Sequence, residues 1–283
     1  MKSRSVLVSG ASTGIGRATA FYLARQEGFQ VFAGVRTPKD AELLKAEKQH
    51  NLIPVMLDVT DAHTIKRTVH RIHKDTNGQG LYALVNNAGV SLSCPQELVS
   101  MEHIRAQFDV NVFGLMQLSA ACMPMIRNNG GRIVNVSSGA GRMATPLMGV
   151  YSASKFAVEG FSDALRVELR PWKIPVIVIE PGFVASDIHG KNDADMQQLL
   201  ATMPADAPVE YREMIAAFRA MNNKLSPNAT PTAVVAQTIG MALTINCPAT
   251  RYAVGADAKI MSILHRVLPD RIKDLIFSKA IGL

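Results

Sequence analysis

From its first residues the chain alternates short apolar, β-rich runs with amphipathic stretches of helical length, and that alternation leaves few folds open. Strand-like runs fall at Ser5–Ser9, Gln30–Val35, Ile53–Leu57, Tyr82–Val85, Arg132–Val136, Pro175–Ile179 and Tyr252–Val254. Helical patterns separate them at Arg17–Glu27, closed by Gly28, and at Asp40–Gln49, Ala62–Thr76, Glu102–Ile126 and Ala153–Leu169. Buried strands joined by helices predict an α/β fold: a three-layer, doubly wound parallel sheet of about seven strands with helices on both faces. Right-handed crossovers then place the strand C-termini on one edge, where such sheets bind ligands.

Composition fits that picture. The 283 residues are 48% apolar and 19% charged, enough for one large domain over 1–283 with a sizeable core. No uninterrupted apolar run approaches the ~18 residues of a membrane helix. Met1-Lys2-Ser3-Arg4 leads directly into a strand, without a secretory cleavage pattern, so a cytoplasmic protein is expected. The net charge of +7 is dispersed among acids, which argues for an anionic small ligand and against nucleic acid. Cys94, Cys122 and Cys247 lack zinc spacing and read as buried free thiols, while His63, His70 and His73 read as solvated; no metal is expected.

Two patterns carry chemistry. In VLVSGASTGIGRATA, Gly10, Gly14 and Gly16 lie between a strand and a helix. A helix N-terminus offers unpaired N–H groups and a positive dipole end, and glycines let a pyrophosphate approach the backbone. The second pattern is Tyr151-Ser-Ala-Ser-Lys155, which puts a phenol and an ammonium on one helix face. A free phenol has a pKa of ~10, and a neighbouring ammonium favours the phenolate, so the pair can exchange a proton with an alcohol or carbonyl.

With five further motifs in order, the chain resembles the short-chain dehydrogenase/reductase family over nearly its whole length, near the retinol and hydroxysteroid dehydrogenases. These motifs are Asp58 in LDVTD, NNAG at Asn86–Gly89, Asn111 in DVNVFG, NVSS ending at Ser138, and EPGFVAS at Glu180–Ser186. The resemblance implies a Rossmann-like domain that transfers hydride with a nicotinamide cofactor. Tyr151 would be the acid/base, Lys155 would lower its pKa and hold the nicotinamide ribose, Ser138 would bond the substrate oxygen, and Asn111 would anchor a relay water. Gly10, Ser12, Gly14, Ile15 and Gly16 would cradle the pyrophosphate. Asp58 and Val59 would border the adenine, Asn87, Ala88 and Gly89 would line the cleft, and Pro181, Gly182, Val184 and Ser186 would border the nicotinamide. Ser9 and Ser186 stand where the family often has threonine; both keep a hydroxyl, so the hydrogen bonds are expected to survive.

The second strand decides the cofactor. NAD enzymes place an acid at its end; here Val35 occupies that position and Arg36 follows. Without a carboxylate to repel a 2′-phosphate, and with a guanidinium to pair with it, NADP(H) is favoured over NAD(H). A second basic residue, usual before the middle glycine, is absent: Thr13 stands there. An NAD-linked dehydrogenase remains the alternative within the enzyme class, and a non-catalytic cofactor sensor the alternative outside it.

Residues 185–231 break the strand–helix rhythm, with several prolines and a helical run at Val209–Asn222, as a substrate lid or an ordinary helical connection would. On that run Met214, Phe218 and Met221 share a face; with Met143, Leu147 and Met148 they line an apolar pocket or pack as core. The pocket reading suits a small lipophilic substrate. The tail 258–283 carries an apolar stripe (Ile260, Ile263, Leu264, Val267, then Ile272, Leu275, Ile276) among Lys259, Arg266, Arg271, Lys273 and Lys279. It would support an oligomer contact or the lid, or rest on a membrane surface. The family also implies a homodimer or homotetramer through the helices Glu102–Ile126 and Ala153–Leu169.

Overall fold

A computed structural model describes residues 4–25, 29–203 and 207–281, with backbone alone for 187–191 and 202. Seven parallel strands form the main sheet: β1 (Arg4–Val8), β2 (Phe29–Val35), β3 (Leu52–Met56), β4 (Ala83–Asn86), β5 (Arg132–Val136), β6 (Val176–Pro181) and β9 (Arg251–Val254). Their order is β3-β2-β1-β4-β5-β6-β9, so the chain reverses direction across the sheet between β1 and β4. That switch point opens a crevice at the strand C-termini. The expected strands all appear, shifted by a residue or two at their ends.

Alternation within each strand builds the layers. Val6 and Val8 of β1 face a core completed by α1 (Gly14–Arg25), α2 (Pro38–Ala46) and α9 (Thr232–Thr244). Leu7, between them, faces the other core with α3 (Ala62–Asp75), α5 (Leu115–Asn129) and α6 (Gly149–Glu168). Each sheet face is thus apolar and covered, as the three-layer expectation required. Capping sets several helix ends: the hydroxyl of Thr37 accepts from Asp40 N (3.1 Å), and Asp61 accepts from His63 N (2.8 Å). Gly28, expected to close the first helix, lies outside the described residues.

One expected helix is not uniform. Glu102–Ile126 resolves into α4 (Met101–Phe108), a π-helical segment Asp109–Gly114, and α5, and Asn111 sits in the π segment. The run Met101–Asn129 has the length and apolarity to cross a membrane, yet half of its most apolar stretch is buried inside the protein.

Between β6 and α9 the strand signals are indeed sparse. Two short strands, β7 (Val184–Ala185) and β8 (Thr230–Pro231), pair in parallel and pinch the segment at its base. Above them lie α7 (Asp187–Thr202) and α8 (Val209–Leu225), with a separate apolar cluster including Leu147, Met196, Ile215 and Phe218. The tail forms α10 (Ala256–Val267) and α11 (Asp270–Ala280). Of the thiols, Cys122 is buried and Cys94 half-buried, but Cys247 is exposed, against expectation: it falls in the surface connection after α9, where no core covers it.

Candidate active site

The crevice at the switch point is a cleft of about 480 Å³. At one end is the glycine turn. Gly10 and Gly14 have φ of 65° and 54°, the left-handed region that glycine adopts at little cost. A Cβ on Gly10 would lie 2.8 Å from Ala88 Cα, and one on Gly16 would collide with the Gly10 carbonyl, so helix and turn can close only on glycine. The turn is tied to the next loop by Ser9, whose hydroxyl accepts from Asn87 N and Ala88 N at 3.0 Å each. Asn87 Nδ2 donates back to the carbonyls of Ser9 (3.0 Å) and Gly10 (3.1 Å). The expected survival of the Ser9 hydrogen bonds is met; Ser186 starts α7 without a side-chain cap.

At the other end, β5 delivers Ser138 and the first turn of α6 delivers Tyr151, whose hydroxyls hydrogen-bond to each other. Lys155, one turn further, is buried; its Nζ donates to the Val136 carbonyl at 3.0 Å and lies 5.7 Å from the Tyr151 ring centroid. Burial changes the expected electrostatics. It raises the Tyr151 pKa above its ordinary value, outweighing the lowering from Ser138. It also pushes Lys155 down to about 8, with Glu159 pulling it back up. The ammonium therefore does not by itself bring the phenol toward neutrality, because the low-polarity surroundings penalise both charged forms.

Asn111 lies behind the lining. Its Oδ1 accepts from Val90 N (2.8 Å), and its Nδ2 donates to the Val90 carbonyl (2.9 Å) and Ser154 Oγ (3.0 Å). The wide π turn places this side chain where a regular helix would not, a common use of such segments near functional sites. The other residues expected to hold the cofactor all line the cleft, from Ser12 and Ile15 through Asp58, Val59 and Gly89 to Pro181, Gly182, Val184 and Ser186. Asp58 Oδ1 is engaged by Thr60 N (2.9 Å) and Thr60 Oγ1 (2.7 Å). Arg36 is exposed at the rim, with no hydrogen bond or ion pair among the described residues.

The apolar pocket is only partly as expected. Met148, Phe218 and Met221 line the cleft, but Leu147 packs in the lid cluster and Met143 is buried outside the lining. Met214 turns instead to a second cavity of about 420 Å³ beside Phe277 and Ile281. Helical spacing identified the face but not which of its residues meets the cleft. Sequence reading also missed Asp257 and Met261 of α10, which line the cleft. Asp257 accepts from Phe183 N at 2.5 Å and presses on Gly182, clamping the turn after β6. The signal available for it was modest: an acid two residues after Gly255, at a helix start.

A glycine cradle at a helix N-terminus, facing a Ser–Tyr–Lys set across the switch point of a doubly wound sheet, is the arrangement of a dinucleotide-using α/β oxidoreductase. The profile of the short chain dehydrogenase family matches residues 4–197. Retinol dehydrogenase 16 of Rattus norvegicus is 33% identical over 282 residues, 98% of this chain and 88% of that protein. The NADPH-dependent 3-dehydrocapnine reductase of Ornithobacterium rhinotracheale is 32% identical over 282 residues, 98% of this chain and 96% of that protein. A solved short-chain dehydrogenase from Streptomyces avermitilis superposes with a TM-score of 0.79 at 27% identity, covering 100% of this chain and 98% of its own. The chain belongs to the short chain dehydrogenase family of oxidoreductases.

Proposed function

We propose that this chain is an NADP(H)-dependent oxidoreductase that interconverts a lipophilic alcohol, such as a steroid or retinoid, and its ketone or aldehyde. The observation that carries the reading is the junction of Ser138, Tyr151 and buried Lys155 at the cleft floor, opposite the glycine cradle. The cradle fits the cofactor: Gly10, Gly14 and Gly16 line the cleft at the N-terminus of α1, where unpaired backbone N–H groups and the helix dipole suit a pyrophosphate. When bound, the dinucleotide supplies or accepts the hydride.

The side chains do the rest. In reduction Tyr151, kept neutral by burial, gives its proton to the substrate oxygen as charge develops there. Ser138 donates a hydrogen bond to the same oxygen, and the Lys155 ammonium stabilises the phenolate left behind. Asn111 Oδ1 and Lys155 Nζ lie 3.4 and 3.6 Å from the point a Gly89 Cβ would occupy, a gap that suits a water passing protons to Lys155. The rim guanidinium of Arg36 pairs with the 2′-phosphate. The NADPH-dependent relative supports that choice, and the retinol dehydrogenase relative supports a lipophilic substrate.

The segment 185–231 is the substrate lid, closing with Phe218, Met221 and Leu225 toward the cleft within one domain spanning 1–283. The chain works in the cytoplasm as a homo-oligomer, through α4, the π segment, α5 and α6, where Met101, Phe113 and Phe156 are exposed. Its tail rests on a membrane surface: Ile260, Ile263, Val267 and Leu275 are each more than half exposed beside exposed Lys259, Arg266 and Lys279. The test is a fluorescence titration with NADPH and with NADH. Tighter NADPH binding is expected; tighter NADH binding overturns the cofactor assignment, and binding of neither overturns the enzyme.

A further inference from the structure

On α6, Glu159 follows Lys155 by one helical turn and Asp163 follows by another, so the three share a face. Glu159 is buried. Its Oε2 accepts from Arg251 Nε of β9 at 3.0 Å, while its Oε1 is sealed from solvent with no hydrogen-bond partner. Glu180, buried at the end of β6, lies 3.3 Å from the same Arg251 Nε and 3.8 Å from Arg142 Nε. Arg251 also bonds Asp163 at 2.7 Å. Arg251 thus reaches three carboxylates, two of them buried; Arg166 also pairs with Asp163 at 2.5 Å and Arg142 with Glu180, so among the described residues Glu159 has only a share of Arg251 as an ion-pair partner. The remaining charged groups around the cluster are Arg166 on α6, Arg142 after β5, and Arg266 on α10. Lys155 is a buried cation on the Glu159 face, and among the described residues its Nζ has only the Val136 carbonyl for a hydrogen-bond partner.

We propose that Glu159, anchored by Arg251, is a positioning residue that keeps the Lys155 ammonium charged at working pH. A buried ammonium beside an under-compensated carboxylate loses its proton at higher pH than one left alone. The charge balance supports this from both sides: Glu159 opposes the burial that depresses Lys155, and Glu159 with burial raises Glu180. Removing Glu159 would thus act on catalysis through Lys155 without touching substrate or cofactor.

The proposal rests on the proton-transfer reading of Lys155, and its test separates the two. Carbonyl reduction is followed as kcat/KM from pH 6 to 9.5 in wild type, Glu159→Gln and Glu180→Gln. Wild type should decline above pH about 8, where Lys155 loses its proton. In Glu159→Gln the decline should move down by about one pH unit, costing about fivefold at pH 8 and less than about twofold at pH 6.5. Glu180→Gln should leave the decline in place. A uniform loss across the pH range, or an unmoved decline, overturns the proposal. NADPH affinity measured over the same range needs no substrate, because the ammonium also holds the cofactor's ribose. A wild type that binds NADPH but reduces nothing would count against the functional reading alone. The shift of the binding inflection in Glu159→Gln would still decide the role of Glu159: a lower inflection supports it, an unmoved one overturns it.

Discussion

The floor and the roof of the cleft are held by different kinds of interaction. On the floor, side chains are tied to backbone of other elements: Lys155 to Val136, Asn111 to Val90, Asn87 to Ser9 and Gly10. Behind them a buried polar ladder runs from Ser119 through Asn86 and Asn135 to Ser162, in steps of 2.8–2.9 Å. The roof is held by its own small apolar cluster around Met196, Ile215 and Phe218, with side-chain polar contacts at its margins. Asn192 meets Ser91 at 3.0 Å, Tyr211 meets Glu97 at 2.6 Å, and Arg219 pairs with Asp193 at 2.7 Å. The solvent-facing contacts, Tyr211–Glu97 and Arg219–Asp193, are worth about 1 kcal/mol or less, whereas breaking a buried polar network leaves desolvated groups unpaired. On the proposed function, proton transfer would fall in the layer with the denser buried polar network and substrate contact in the segment between β6 and α9.

That contrast can be broken at several points. The largest effect is expected from Tyr151→Phe, which removes one hydroxyl from the floor: turnover should fall by about 10³-fold or more, with NADPH affinity within about twofold, measured by steady-state kinetics and fluorescence. Near-normal turnover would remove Tyr151 from the mechanism. Arg36→Ala, at the rim, should weaken NADPH binding by about tenfold or more and leave NADH binding nearly unchanged. Equal losses for both cofactors would make Arg36 a structural residue.

Lys155→Met should separate function from stability. The ammonium's pKa falls from 10.5 to about 8 on folding, so the folded state binds fewer protons than the unfolded chain between those values. Stability then rises with pH across that window, and the full penalty, on the order of 3 kcal/mol, is present below pH 8. After the lost Val136 hydrogen bond is subtracted, the inactive variant should be more stable by about 1–2 kcal/mol at pH 7. That gain should vanish toward pH 10.5 in denaturant titrations followed by circular dichroism; a destabilised variant at pH 7 would show that the bond outweighs the burial. The smallest effect on the fold is expected in the tail. Ile263→Ser with Leu275→Ser should change stability by less than about 0.5 kcal/mol yet abolish flotation with anionic liposomes. Flotation unchanged in the double variant would leave the tail as an oligomer contact or a support for the lid.

Much of this molecule could be read from local pattern. Strand alternation, the left-handed glycines and the i,i+4 Tyr151–Lys155 pair are short-range features, because strand period, turn φ and helix pitch are set by neighbouring residues. Other features depended on residues far apart in the chain. Asp257 meets Phe183 from 74 positions away, Arg251 joins Glu159 from 92, and Met214 and Met221, one face in the sequence, look into different cavities. The pKa shifts of Tyr151 and Lys155 also came from packing: spacing predicts a lowered phenol, whereas desolvation raises it and depresses the lysine. Burial is a property of the assembled layers, and the energy of a charge depends on what surrounds it in three dimensions. Sequence determined the scaffold and the candidate groups Ser138, Tyr151 and Lys155; only the tertiary structure decided their electrostatics, their supports and the walls they face.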